Sequence, residues 1–129
     1  MEVFMEQYVR VFKALGEPTR IKILRLLSVR PMYVCELEAV LQMSQPRISQ
    51  HLRVLKDAYI LKENKEAQKT FYIISREVME NVLNGFQDFL AADITTLPEF
   101  REESRRLAGL DSESCVASCK SAENDLASQ

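Results

Sequence analysis

Three features of this 129-residue chain predict a mainly helical domain that carries one β-hairpin. Only three glycines and four prolines interrupt it, which leaves room for long regular elements. Apolar residues recur at helical spacing through most of the first 97 positions. One stretch, from about Tyr59 to Ser75, switches to β-branched and aromatic residues around a polar middle. With 47% hydrophobic residues a core is affordable, and the length fits one domain with an appendage. A chain this short is often helped by dimerisation.

The elements follow in order. "VFMEQYVRVFKAL" places Val3, Phe4, Tyr8, Val9, Phe12 and Leu15 at helical spacing, and Gly16 ends the helix. "EPTRIKILRLL" restarts, with Pro18 in the first turn and Ile21, Ile23, Leu24, Leu26 and Leu27 behind it. "SVRPM" is a break. "YVCELEAVLQ" is a short third helix whose expected buried face is Val34, Leu37, Val40 and Leu41. "MSQPRISQHLRVLKDA" is the fourth, with Ser44 as N-cap and Pro46 in the first turn. "YILKE" and "TFYIIS" are strands flanking the polar "NKEAQK". From Glu77 to about Leu97 the helical period returns in Val78, Val82, Leu83, Phe86, Phe89, Leu90 and Ile94, with Gly85 inside it. After Pro98 the pattern fades, although "FREESRRLAGL" fits a short helix, and the final Ser/Ala/acid-rich residues read as loose. Two short helices joined by a tight turn and followed by a hairpin make a winged helix-turn-helix. The expected division is 1–97 for the domain and 98–129 for a tail.

Net charge is −2, but its distribution says more. Residues 1–97 carry net +1 and residues 98–129 net −3. Between Ser44 and Lys56 there are three basic side chains and no acid. Nucleic-acid affinity depends on such a local face and not on whole-chain charge. In "SQPRISQHLRVL", Ile48, Leu52 and Leu55 fall on one side, so Gln45, Ser49, Gln50 and Arg53 point the other way, flanked by Arg47 and Lys56. Gln and Arg make bidentate contacts to base edges in the major groove, and Ser or Lys hold phosphates. A polar face of this kind also suits plain solvation. The preceding helix and following hairpin favour DNA. The expected DNA contacts are Ser44, Gln45, Arg47, Ser49, Gln50, His51 and Arg53, with Lys65 and Lys69 on the wing. His51 borders the buried stripe and fits packing or a phosphate contact better than catalysis. No stretch approaches the roughly 18 apolar residues of a membrane span. "MEVFMEQYVR" is acidic and unlike a signal peptide, so a cytoplasmic protein with reduced thiols is expected.

"VFKALGEPTRIKILRLL", "VCEL" and "SQPRISQHLRVLKDAYIL" together resemble the ArsR/SmtB family of metal-responsive repressors, over about residues 5–97. The resemblance implies a homodimeric winged-helix repressor, paired through its first and last long helices. The apo dimer would hold an operator palindrome in double-stranded DNA and an effector would release it. Arsenite-sensing members typically carry Cys-Val-Cys in the third helix. Here Tyr33-Val34-Cys35 stands in its place, so a two-thiol site in this helix is not available. Zinc-sensing members use acids and histidines on the last long helix. The single histidine of this chain lies in the DNA-reading helix.

Cys35, Cys115 and Cys119 remain as candidate metal ligands. Soft thiolates select thiophilic ions, and As(III) or Sb(III) favours three of them in a pyramid. The expected effector is therefore As(III) or Sb(III), held when the tail brings Cys115 and Cys119 to Cys35; no organic cofactor is expected. Two alternatives stay open. Cys35 also fits as a small buried hydrophobe. The pair Cys115/Cys119 alone would suit an organic trivalent arsenical or a reversible disulfide. A dithiol oxidoreductase is disfavoured, because Cys115 and Cys119 lack the Cys-x-x-Cys spacing and have no general base beside them, so no enzyme is expected.

Overall fold

A computed structural model describes residues 2–110. It divides into two units, one over residues 2–90 and one from Ala91 onward. In the first unit the order is α1 (Glu2–Leu15), α2 (Pro18–Leu27), β1 (Met32–Tyr33), α3 (Val34–Leu41), α4 (Gln45–Asp57), β2 (Leu61–Glu66), β3 (Lys69–Ile74) and α5 (Arg76–Ala91). This is the expected winged helix-turn-helix, mainly α with a β-hairpin wing. The second unit holds two 3₁₀ turns, Ile94–Thr96 and Pro98–Phe100, and α6 (Arg101–Gly109).

One core serves the first unit. Ile23, Leu37, Ile48, Leu55, Ile60 and Val11 are fully buried, and Leu27, Met32, Leu52, Leu61 and Val82 nearly so. The face of α1 differs from expectation. Tyr8, Val11 and Ala14 point inward, whereas Val9 and Phe12 are exposed. The six apolar residues of α1 span more than one face, so periodicity alone does not pick the buried one. Val40 of α3 likewise points outward, and Ile21 of α2 is half-exposed.

The wing is longer and tighter than "NKEAQK" as a loop implied. Its strands pair from Leu61↔Ile74 out to Glu66↔Lys69, leaving a two-residue turn at Ala67 and Gln68. Ala67 takes φ 56°, the left-handed conformation such a turn demands. The base closes where the Ser75 N–H donates to the Ile60 carbonyl at 2.7 Å. Tyr59 is not a strand residue. It stands at φ 63° just after α4, and the bonds Ile60 N–H to Leu55 O and Tyr59 N–H to Lys56 O form the 6→1 and 5→2 pair that ends a helix. Met32 and Tyr33 add a third strand against Tyr72 and Phe71, giving the order β1-β3-β2. Tyr33 therefore precedes α3 instead of opening it.

The helix expected to reach Leu97 stops at Ala91. Asp93 caps the next turn, accepting from the Thr95 N–H at 3.0 Å and the Thr95 hydroxyl at 2.8 Å. These bonds hold the Asp93 carboxyl below its usual range. Gly85 does not interrupt α5. A Cβ there would lie 3.1 Å from the Tyr8 hydroxyl, so glycine admits the close approach of α1. Tyr8, Phe12, Phe86 and Phe89 form an aromatic cluster: Phe12–Phe86 and Tyr8–Phe86 meet edge to face with ring centroids 4.9 and 5.4 Å apart, and Phe89 stacks on Phe86.

Candidate nucleic-acid interface

α3 and α4 are joined by Gln42, Met43 and Ser44. Gln42 stands at φ 54° and so reverses the chain in a position that usually favours glycine. Ser44 is the N-cap of α4 by position, but its side chain makes no capping bond. The helix begins with Ile48 N–H donating to the Ser44 carbonyl at 3.0 Å. Ile48, Leu52 and Leu55 are inward as expected. That fixes the rotation of α4 and leaves Gln45, Arg47, Gln50 and Arg53 exposed and Ser49 half-buried. Gln45 Nε2 donates to Ser49 Oγ at 2.8 Å, which orients the first turn of the outward face.

His51 is placed differently from its neighbours. Its Nδ1 accepts from Arg20 Nε at 3.3 Å, and the Glu17 carboxylate lies 3.6 Å from the same nitrogen. On the wing, Lys65 is exposed opposite Thr70. The Lys69 ammonium lies 5.4 Å above the Tyr33 ring, so reaching DNA requires leaving that cation–π contact.

Glu63 joins wing to helix. It accepts from the Tyr72 hydroxyl at 3.0 Å and from Lys56 Nζ at 3.4 Å. The Tyr72 bond, then Lys56, holds the Glu63 carboxyl below its usual range, while burial and Glu63 push Tyr72 up to about 12.

Cys35, the second residue of α3, is exposed, which overturns its alternative as a buried hydrophobe. It opens on a cleft of about 200 Å³ shared with Tyr33, Val34, Lys69 and Thr70. The polar groups beside it are committed. The Glu36 carboxylate accepts from the Tyr33 N–H at 2.9 Å and from Arg30, which lowers its pKa chiefly through the Arg30 bond. The Tyr33 hydroxyl donates to Glu66 Oε2 at 3.3 Å. At this helix start α3 thus offers a soft ion one free thiol, and further sulfur ligands must come from elsewhere. Cys115 and Cys119 lie outside the described residues. Among the described residues no three His, Cys, Asp or Glu side chains converge as a metal site.

Arg20 and the Glu63–Tyr72 pair were not singled out from sequence, and Tyr33 was noted only for the thiol it replaces. Only Arg20 left a signal there: a cation in the first turn of a helix opposes the macrodipole, so it needs a specific partner. No helix among the described residues is long and apolar enough to cross a membrane.

Residues 17–63, from the N-cap of α2 to the first half of the wing, match the model for the bacterial regulatory protein arsR family. The chain is 41% identical over 83 residues to an uncharacterized HTH-type transcriptional regulator of Methanocaldococcus jannaschii, covering 61% of this chain and 93% of that protein. It is 34% identical over 100 residues to an arsenic resistance transcriptional regulator of Pseudomonas putida, covering 71% of this chain and 78% of that one. Among solved structures, HlyU from Vibrio cholerae is similar with a TM-score of 0.57 at 32% identity, over 70% of this chain and 99% of that one. With the helix-turn-helix, the wing and the polar outward face of α4 in agreement, the chain belongs to the arsR family of bacterial regulatory proteins and is a DNA-binding transcriptional regulator.

Proposed function

We propose that this regulator is a repressor that binds its operator as a homodimer and releases it when trivalent arsenic or antimony is captured by thiolates. The observation that carries the DNA contact is the face of α4. Gln45, Arg47, Gln50 and Arg53 are exposed on one side of a helix whose opposite side is locked into the core. Gln45, Gln50 and Arg53 read base edges, Arg47 and Ser49 hold the backbone, and Lys65 and Lys69 extend the contact along the wing. Pairing is supported by the exposed Met5, Val9 and Phe12 of α1 and Leu83 and Leu90 of α5, which flank the aromatic cluster. A two-fold dimer presents two α4 helices to successive major-groove faces.

The effector reading rests on chemistry. Cys35 is an accessible thiol at the start of the helix that leads into α4. Cys115 and Cys119 complete the three thiolates that As(III) or Sb(III) prefers. The relative in P. putida is named for arsenic resistance. Every tenfold loss of operator affinity requires about 1.4 kcal/mol of coupling.

A gel shift with the DNA upstream of the protein's own gene, titrated with arsenite, methylarsenite, zinc and peroxide, tests both halves. Retardation that only trivalent arsenicals reverse is expected. No retardation removes the DNA reading, and release by peroxide alone replaces the effector. Full release of a Cys35→Ser variant by arsenite would reduce the site to the Cys115/Cys119 pair.

A further inference from the structure

Resting on the reading of α4 as the DNA-reading helix, we propose that Arg20 is a positioning residue for sequence discrimination, acting on α4 through His51. One guanidinium makes every connection. Its Nε donates to His51 Nδ1 at 3.3 Å, and its Nη1 donates to the Ala14 carbonyl at 3.1 Å and the Lys13 carbonyl at 3.4 Å. Those carbonyls belong to the last turn of α1, where the helix dipole is negative; the Lys13 carbonyl also accepts from the Gly16 N–H at 3.2 Å. The backbone N–H of Arg20 donates to Glu17 Oε2 at 3.1 Å, which caps α2. The end of α1, the start of α2 and the middle of α4 thus meet on one planar side chain.

The position on α4 gives this contact its function. His51 lies directly between Gln50, which faces outward, and Leu52, which is buried. Successive residues turn about 100° around a helix, so fixing the ring of His51 fixes the direction of its neighbour Gln50 and of Ser49 and Arg53, two residues to either side. The apolar stripe of Ile48, Leu52 and Leu55 holds α4 against the core through non-directional contacts. The Arg20–His51 bond adds a directional hold on its flank. Because Nδ1 accepts from Arg20, Glu17 at 3.6 Å faces the pair as a nearby carboxylate and does not bond the ring. Nε and Nη1 of the guanidinium are turned to protein acceptors, which holds the side chain against α1 and α4. Lysine cannot replace it, because a single ammonium lacks the fork that spans imidazole and carbonyls.

The test compares binding to the protein's own upstream DNA with binding to a random-sequence duplex, at several salt concentrations, for Arg20→Met, Arg20→Lys, His51→Ala and Arg53→Ala. Loss of one charge-assisted bond predicts that both Arg20 variants lose about tenfold in the specific-to-random ratio. Their affinity for random DNA and their salt slope should match the parent. A slope reduced by about one would make Arg20 a phosphate contact and overturn the proposal. Retention of the full ratio in Arg20→Lys or Arg20→Met would overturn it too. Should Arg20→Met fail to fold, as read by circular dichroism, His51→Ala decides, since it spares the cap on α1: it must show the same loss of ratio with the parent's affinity for random DNA, and weaker binding to random DNA would make His51 a direct contact and overturn the proposal. Arg53→Ala monitors the underlying reading: if it keeps full discrimination, α4 is not the reader, whatever the Arg20 variants do.

Discussion

Replacing Gly85 by alanine opposes two effects of known size. Gly85 lies inside α5, where alanine is favoured over glycine by about 1 kcal/mol. The new methyl would meet the Tyr8 hydroxyl at 3.1 Å, a few tenths of an ångström inside ordinary contact. Tyr8 is not free to retreat, because it is 8% exposed and its ring is held by Phe86 and Phe89 at 5.4 and 5.9 Å. Overpacking of this kind costs about 1 kcal/mol or slightly more, so Gly85→Ala alone should leave stability nearly unchanged. The next atoms, Tyr8 Cε1 and Cζ, stand at 3.8 and 3.9 Å, which is normal contact. In a Tyr8→Phe background the obstacle is gone, and the same substitution should stabilise by about 1 kcal/mol, or about 4 °C in Tm. A four-variant thermal denaturation cycle at one fixed protein concentration measures the coupling directly. Equal gains from Gly85→Ala in both backgrounds would show that the Tyr8 hydroxyl does not limit helix packing, and the account of this glycine would be wrong.

Leu52 is 1% exposed beneath the outward face of α4, so Leu52→Ala should cost about 3 kcal/mol in chemical denaturation. The depressed Glu63 carboxyl contributes stability above the ordinary carboxylate pKa that disappears as pH falls through its lower folded value. The Tm difference between the parent and Glu63→Gln should therefore be larger at pH 7 than near pH 3, and no change with pH would remove the Tyr72–Glu63–Lys56 link from the stability of the wing. Val9 is 50% exposed on α1, so Val9→Glu should spare the fold yet raise the dimer dissociation constant about tenfold or more in sedimentation equilibrium. Ala67→Gly should raise Tm by a few degrees, because glycine takes φ 56° without the penalty that a Cβ carries.

The order of elements, the inward stripe of α4 and the outward Gln45, Gln50 and Arg53 were legible in the chain, because helical period and capping positions are local properties. Which side of α1 is buried, the extent of the wing and the end of the long helix at Ala91 were not. The buried side of α1 depends on partners distant in sequence, Tyr8 on Gly85 and Phe86; the wing depends on the register of its strands, Asn64 on Phe71, and on the added pairing of Met32 with Tyr72; the stop at Ala91 is followed by the local cap of Asp93 on Thr95. The link from Arg20 to His51 crosses 31 positions and became visible only when α1, α2 and α4 were packed together. The sequence by itself determined the fold class and the side of α4 that meets solvent. Only the tertiary structure decided which polar side chains are free to read and which are spent on holding the reader, since a hydrogen bond needs both partners within about 3 Å and chain order does not specify that distance.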